Sequence, residues 1–467
     1  LNQTSIEVLI KIESLVTILF IILIHITSPA YAGELSPGLS ERLQCVNHKE
    51  YLPVIVRMVD QADLRDSTQD IMGRSKALRS RNVIRSLQAT ATKRQQDLIT
   101  FLEKEKSLAH YTSFWIFNGL SLKATPQVIK KIASRDDVDN VSEDLTIASP
   151  VPIPSVLLQT DFPYTWNIEM IRAPEVWELG IDGSGVVVGI FDSGVDVNHP
   201  NLKSNYRGGD NSWFDPHGEY DTPHDSAGEH TGHGTHITGI ILGGNASGQH
   251  IGVAPEASWI AAKAWNDKGE SFTSHLHGIF QWFMDPDGDP DTNDAPDVVN
   301  NSWSFLLSPF CRRGLQDDIR ALRMVGIIPV FSAGNSGPLP FIANSPANYP
   351  ETIAVGATGP FDIISFFSGR GPSNCDLSIF PDITAPGIGI LSSTPHGNHL
   401  SLSGTSMAAP HVTGTIALML DANPNLSIEE IETTLKETAT PLGFFHPNNT
   451  YGWGRVDALE AVTAVIP

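Results

Sequence analysis

The chain has 467 residues, 41% of them hydrophobic and 18% charged, which is enough apolar side chain for a large core and two or three domains. Its formal charge of −22 argues against a nucleic-acid partner, which a basic face would be needed to hold, and favours solubility. Three cysteines, Cys45, Cys311 and Cys375, cannot all pair within one chain, so this is no disulfide scaffold, and a Cys311–Cys375 bridge and free thiols both stay open.

Leu15 to Ile26 is an almost uninterrupted apolar run with Lys11 before it and Ala30-Tyr31-Ala32 after it. That layout predicts a secretory signal peptide over residues 1–32, cleaved after Ala32, and a secreted, extracellular product. A retained anchor is the competing reading, but the run is short for a bilayer span, so no stable membrane anchor is expected after cleavage. From Tyr51 to Ile147 the pattern is that of a small domain. Leu52 to Val56 reads as a strand, and Ile84, Leu87, Ala91, Leu98 and Leu102 recur at helical spacing. A strand-like pair follows around Phe114-Trp115-Ile116-Phe117 and Leu120-Ser121-Leu122, then a short helix from Pro126 and a last strand over Val138 to Ile147. Strand, helix, strand, strand, helix, strand is a ferredoxin-like α+β plan. Arg74, Lys76, Arg79, Arg81, Arg85, Lys93 and Arg94 gather on its long helix, where they either meet the acidic remainder of the chain or form a solvated face. Ala148 to Gln159, with Pro150, Pro152 and Pro154, reads as a linker.

Beyond the linker, Ile168 to Leu179 reads as one helix, and Gly180 to Gly185 as the turn into a buried strand, Val186 to Phe191, that delivers Asp192 at its end. Gly232-His233-Gly234-Thr235-His236 opens an apolar helix. Gly404-Thr405-Ser406-Met407-Ala408-Ala409-Pro410-His411 reads as a loop entering another, which would present Ser406 at a helix N-terminus. Alone, Gly-Thr-Ser is no more than a helix cap. Apolar strands alternating with helices imply an α/β fold, a parallel sheet with helices on both faces, with its site at the carboxyl ends of the strands.

Asp, then His, then Ser is one of the chain orders in which a catalytic triad occurs. Together the Asp-Ser-Gly, His-Gly-Thr-His and Gly-Thr-Ser-Met-Ala-Ala-Pro-His blocks resemble the subtilisin-like serine proteases, the subtilases. The resemblance runs from about Ile168 to the C-terminus, and Asn300-Asn301-Ser302-Trp303 is similar to a bacillopeptidase F-like branch. It implies that His233 takes the proton from Ser406, that Asp192 orients His233, and that hydrolysis of a peptide bond passes through an acyl-enzyme. In Val330 to Gly337 it places an oxyanion-hole donor at Asn335, beside the Ser406 backbone N–H. It places substrate-binding residues at Ser302, Trp303 and Ser304, along and just after a strand whose edge pairs with extended protein or peptide substrates, and at Gly334. Ser304 and Phe305 stand where many relatives have glycine, so the pocket preference stays unassigned. The same resemblance makes residues 33–155 a propeptide, with an inhibitor and chaperone domain over about 50–147, and residues 156–467 the catalytic domain of a self-processing zymogen. Ser345-Pro346 falls where the family often has a cis bond and reads equally as an ordinary turn.

The chemistry requires no cofactor. A structural Ca²⁺ fits the oxygen-rich loop Asp285 to Asp294, which is not an EF-hand because Pro290 and Pro296 stand where that loop needs Gly and Glu; a solvated acidic loop is the alternative. The usual calcium ligands of the family are replaced by Asn201 and Ala246. His217, His224, His230, His233 and His236 suggest a zinc hydrolase as a rival, although His-Glu-x-x-His is missing. A catalytically silent binding module is the second rival, and filled catalytic positions speak against it.

Overall fold

In the computed structural model, residues 33–63, 76–151, 153–155, 163–226, 232–305 and 310–467 are described. The expected signal peptide lies outside them, as do Arg74, His230 and residues 156–162 beyond the expected domain boundary. Among the described residues no helix is long and apolar enough to cross a membrane. The chain forms two compact units. The first comprises the described residues up to Gln61 with Thr90–Ser113 and Asn118–Asp144, and the second Ala62–Ala89, Phe114–Phe117 and Leu145–Pro467.

The elements up to Glu143 are β1 (Glu34–Leu35), α1 (Pro37–Cys45), β2 (Leu52–Met58), α2 (Lys76–Leu102), β3 (Leu108–Phe114), β4 (Gly119–Ala124), α3 (Pro126–Ala133) and β5 (Val138–Glu143). Their sheet order, β1-β5-β2-β4-β3, is the ferredoxin-like order with one strand added at an edge. That added strand and α1 precede Tyr51, where the small-domain pattern of the sequence begins. Ser36 caps α1 by accepting from the Leu39 N–H, Pro37 sits in its first turn, and Leu39 and Leu43, one turn apart, bury against Leu52, Val54, Leu98 and Val141. Ile84, Leu87, Ala91, Leu98 and Leu102 of α2 are all buried, as their spacing predicts.

Two strands differ from expectation. Phe114-Trp115-Ile116-Phe117 closes β3 and turns. Its Trp115 and Ile116 N–H groups donate to Gln281 Oε1 at 2.7 and 3.3 Å, and Phe117 stacks on His277, so these apolar residues are claimed by the second unit rather than by a sheet. The strand expected over Val138 to Ile147 stops at Glu143, and Thr146–Ala148 forms a separate strand, β6, with a different partner.

The second unit continues with β7 (Ile153–Pro154), α4 (Trp166–Met170), α5 (Ala173–Trp177), β8 (Val187–Asp192), β9 (Trp213–Phe214), α6 (His233–Leu242), β10 (Ser258–Lys263), β11 (Glu270–Phe272), α7 (Thr273–Met284), β12 (Val298–Asn301), α8 (Gln316–Val325), β13 (Ile328–Ser332), β14 (Ile353–Thr358), β15 (Ile383–Pro386), β16 (Ile390–Thr394), β17 (Asn398–Ser403), α9 (Thr405–Ala422), α10 (Ile428–Thr438) and α11 (Ala458–Thr463). The single helix expected over Ile168–Leu179 is therefore two. Arg172 between them is left-handed (φ 66°), and Pro174 falls in the first turn of α5, where its missing N–H breaks nothing.

Seven parallel strands in the order β15-β14-β13-β12-β8-β10-β9 make the main sheet. Its strands read as unbroken apolar runs because both faces are covered. Helix α9 is buried along almost its whole length and is made of small and apolar residues on every side, as a central helix must be. Cys311 and Cys375 are joined in a disulfide, and Cys45 is free and exposed. The Ser345-Pro346 bond is cis.

Candidate active site

Strand β8 ends on Asp192, and a helix begins on His233; the two side chains meet. His233 Nδ1 lies 2.8 Å from Asp192 Oδ1, and both groups are buried. The Ser193 N–H donates to the same oxygen at 2.8 Å. An anionic acceptor on Nδ1 makes that nitrogen the N–H and leaves Nε2 with a lone pair. Nε2 is buried and has no hydrogen-bond partner among the described residues.

This pairing needs a close approach of helix to strand. A Cβ on Gly234 would come within 2.1 Å of the Gly194 carbonyl oxygen and 3.0 Å of Asp192 Cβ, so only glycine allows α6 to start here. The helix is capped from a distance. Its N-cap residue, Gly232, has no side chain, and the carboxylate of Asp225 accepts from the Gly232 N–H (2.8 Å), the Thr235 N–H (3.0 Å) and Thr235 Oγ1 (2.6 Å). Ser193 Oγ donates to Asp225 Oδ1 at 3.1 Å and accepts from the Gly234 N–H at 2.9 Å. Burial raises the Asp225 pKa to about 6 against these donors. Beneath lies Lys263, fully buried, whose Nζ donates to the Ser193 carbonyl (3.1 Å) and to Asp267 Oδ1 (3.0 Å). Sequence reasoning missed Asp225 and Lys263, because neither stands in a patterned position relative to the His and Asp blocks.

Ser406 occupies the first turn of α9, which packs against α6. It is locked to Ser302, just past the end of β12, by two exchanged bonds. Ser406 Oγ donates to the Ser302 carbonyl at 3.0 Å, and Ser302 Oγ donates to the Ser406 carbonyl at 2.9 Å. The second bond has a cause one turn further on. Pro410 has no N–H to return to the Ser406 carbonyl, so that acceptor is orphaned within the helix and Ser302 satisfies it. Asn300 Nδ2 donates to Ser302 Oγ (2.9 Å) and Thr413 Oγ1 to Asn300 Oδ1 (2.9 Å), extending the chain of bonds along α9.

Asn335 follows β13. Its Oδ1 accepts from the Thr405 N–H (2.9 Å) and Thr405 Oγ1 (2.8 Å), which turns Nδ2 away as a donor beside the first turn of α9. Gly334 before it has φ +87°, and a Cβ there would press on Asn344 Nδ2 at 2.6 Å, with Ser304 Oγ at 3.3 Å. Gly334 and Ser304, both expected to bind substrate, are thus neighbours. Trp303 departs from that expectation. Its indole is 2% exposed among Phe191, Trp265, Phe280 and Phe331, so only its backbone is left to face a bound chain. β12 is also no edge strand, since β13 and β8 flank it.

The described histidines of the candidate zinc set do not converge. His236 Nε2 donates to the Leu400 carbonyl (3.0 Å) and the ring is held neutral, its pKa lowered to about 3 by burial; His217 Nε2 donates to the Ala264 carbonyl, and His224 meets the Ser226 hydroxyl. With His233 paired to Asp192, no zinc set forms among the described residues. The acidic groups that do converge are Asp285, Asp287 and Asp294, whose ligand oxygens lie within 4.8 Å of one another.

The subtilase family model matches residues 183–454, and the peptidase inhibitor I9 model matches residues 53–148. Bacillopeptidase F of Bacillus subtilis (strain 168) is 38% identical over 419 residues, which cover 82% of this chain and 28% of that protein. An alkaline protease of Alkalihalobacillus alcalophilus is 33% identical over 367 residues, covering 77% of this chain and 83% of the relative. Subtilisin Savinase of Lederbergia lenta is 36% identical over 301 residues, 64% of this chain and 98% of the relative. This chain thus spans little more than a quarter of the length of Bacillopeptidase F and most of the length of the other two.

Proposed function

This chain belongs to the subtilase family of serine endopeptidases and carries an I9 inhibitor domain, and on that premise we propose that Asp192, His233 and Ser406 are its catalytic triad. His233 Nε2 takes the Ser406 proton as Oγ attacks the carbonyl of a protein or peptide substrate, and returns it to the leaving amine. Asp192 stabilises the imidazolium, and Asn335 Nδ2 with the Ser406 N–H stabilises the oxyanion. Ser302 to Ser304 and Gly334 bind the substrate backbone. The observation that carries this reading is the buried Asp192–His233 pair with an unpartnered Nε2, on a helix packed against the one that starts at Ser406.

The N-terminal residues 33–155 act as propeptide, and residues 156–467 as the catalytic domain. Support comes from the segment just before that boundary. Thr146–Ala148 pairs antiparallel with β11, the Ser149 N–H donates to the Gly269 carbonyl, and Ile153–Pro154 pairs antiparallel with β17, which leads into Ser406. The segment is added to strand edges as a bound peptide is. Every peptide bond from Ser149 to Ser155 has a proline on one side, so the segment lacks alternate N–H donors and makes a poor substrate. Processing therefore falls beyond it. Residues 1–32 serve as signal peptide and the enzyme is exported. The Asp285–Asp294 loop takes a structural Ca²⁺, consistent with three convergent carboxylates and hard-cation chemistry.

The test is expression of the chain after Ala32 beside its Ser406→Ala partner, with mass analysis and fluorophosphonate labelling. The expected result is that the unmodified chain sheds its N-terminal hundred-odd residues and labels at Ser406, while the mutant does neither. A folded chain that neither matures nor labels would point instead to a silent binding module.

A further inference from the structure

We propose that Asp225 is a positioning residue of this active site: its carboxylate ties the helix start that carries His233 to the strand end that carries Asp192. It touches neither substrate nor the reacting atoms, and the proposal rests on the triad reading above.

The geometry is a strut with two feet. On the helix side, both oxygens are engaged in the first turn of α6, at the Gly232 and Thr235 N–H groups and at Thr235 Oγ1. These are the orphan donors flanking His233, which is the first helical residue. On the strand side, Oδ1 accepts from Ser193 Oγ, and Ser193 follows Asp192 directly. Ser193 Oγ also accepts from the Gly234 N–H, so the residues on either side of His233 are pinned to the residue after Asp192. Thr235 Oγ1 in turn accepts from the Asp196 N–H at 3.0 Å, binding the loop after β8 to the same point. Asp225 is 2% exposed and makes four bonds, more than any cap needs. An imidazole has two ring torsions of its own to settle, and its productive angle depends on both the helix start and the carboxylate holding still relative to each other.

The charged groups around this point are Asp192 and Asp225, both near His233, and Lys263 under the Ser193 carbonyl; His236 on α6 is neutral.

The experiment uses the full chain carrying Asp225→Asn, matured where necessary by wild-type enzyme added in trans, with active centres counted by a stoichiometric fluorophosphonate. The carboxamide puts an NH₂ against the Thr235 donors. Expected is a fall in kcat per titrated centre of about ten- to a hundredfold with KM little changed, as for a misplacement of about 1 Å. A second variant, Ser193→Ala, cuts the strand foot and leaves the helix cap; it is expected to lower kcat per centre about tenfold without lowering the number of folded molecules. If both variants keep wild-type kcat per centre, and only the melting temperature falls, Asp225 is a helix cap alone and the proposal is overturned. Loss of fluorophosphonate labelling in unmodified enzyme would instead remove the triad reading, which separates the two failures.

Discussion

At the scale of single residues, the setting of Ser406 depends on a proline four positions away. Pro410 frees the Ser406 carbonyl, Ser302 Oγ takes it, and the Ser302 carbonyl receives Ser406 Oγ. Ser302→Ala removes the one donor to a buried carbonyl and leaves Asn300 Nδ2 without its acceptor, at a cost of about 1–3 kcal/mol. Thermal denaturation of that variant is expected to shift down by several degrees, with Ser302→Thr recovering most of the loss. Equal melting of wild type and Ser302→Ala would mean that the helix bends to satisfy the carbonyl itself. The sequence singled out Ser302 only through a family resemblance, and its bond to the Ser406 carbonyl was not legible, because nothing in the spacing of residues 302 and 406 brings them together.

At the scale of elements, α2 shows how a charge pattern becomes a contact. Within the second unit, Lys76 pairs with Asp297 at 2.5 Å, and Arg81 and Arg85 both reach Asp291 at 2.7 Å. So the cations read from the sequence are more than a solvated face, although Arg94 turns to Asp60 in the first unit. All three pairs are partly exposed and each contributes little, about 0–1 kcal/mol, which salt screens. Inhibition of the mature enzyme by its cleaved propeptide is accordingly expected to weaken about tenfold between low and high salt, and Asp291→Asn to flatten that dependence. An inhibition constant indifferent to ionic strength would leave apolar burial, at Ile84 and Leu87 among others, as the whole of the grip.

At the scale of the molecule, a chain of charge −22 concentrates part of that charge in one loop. Asp285 is 7% exposed, and burial first, then Asp294, Asp287 and Asp289, raise its pKa to about 6. A raised folded-state pKa means that the stability it supplies is complete below the ordinary value near 3.8 and is lost as pH rises through about 6. Asp285→Asn is therefore expected to raise the melting temperature at pH 8 by about 2 °C, on the order of 1 kcal/mol after screening, and to change nothing at pH 3. Calcium should stabilise wild type at pH 8 and the variant much less. A variant that melts lower at pH 8, with calcium acting on both alike, would place the cation elsewhere.

The sequence by itself determined the parallel sheet, the order of Asp192, His233 and Ser406, and the face of α2 that is buried, because periodicity and short blocks are local properties of a chain. It read the helix over Ile168–Leu179 as continuous, although Pro174 was in view, and it set the strand at Phe114–Phe117 too late. Only tertiary structure decided that Trp303 packs inward, that Cys311 reaches Cys375, and that Asp225 braces the helix of His233. Those outcomes depend on which strands and helices become neighbours, and a close approach between distant segments leaves no spacing for a sequence to display.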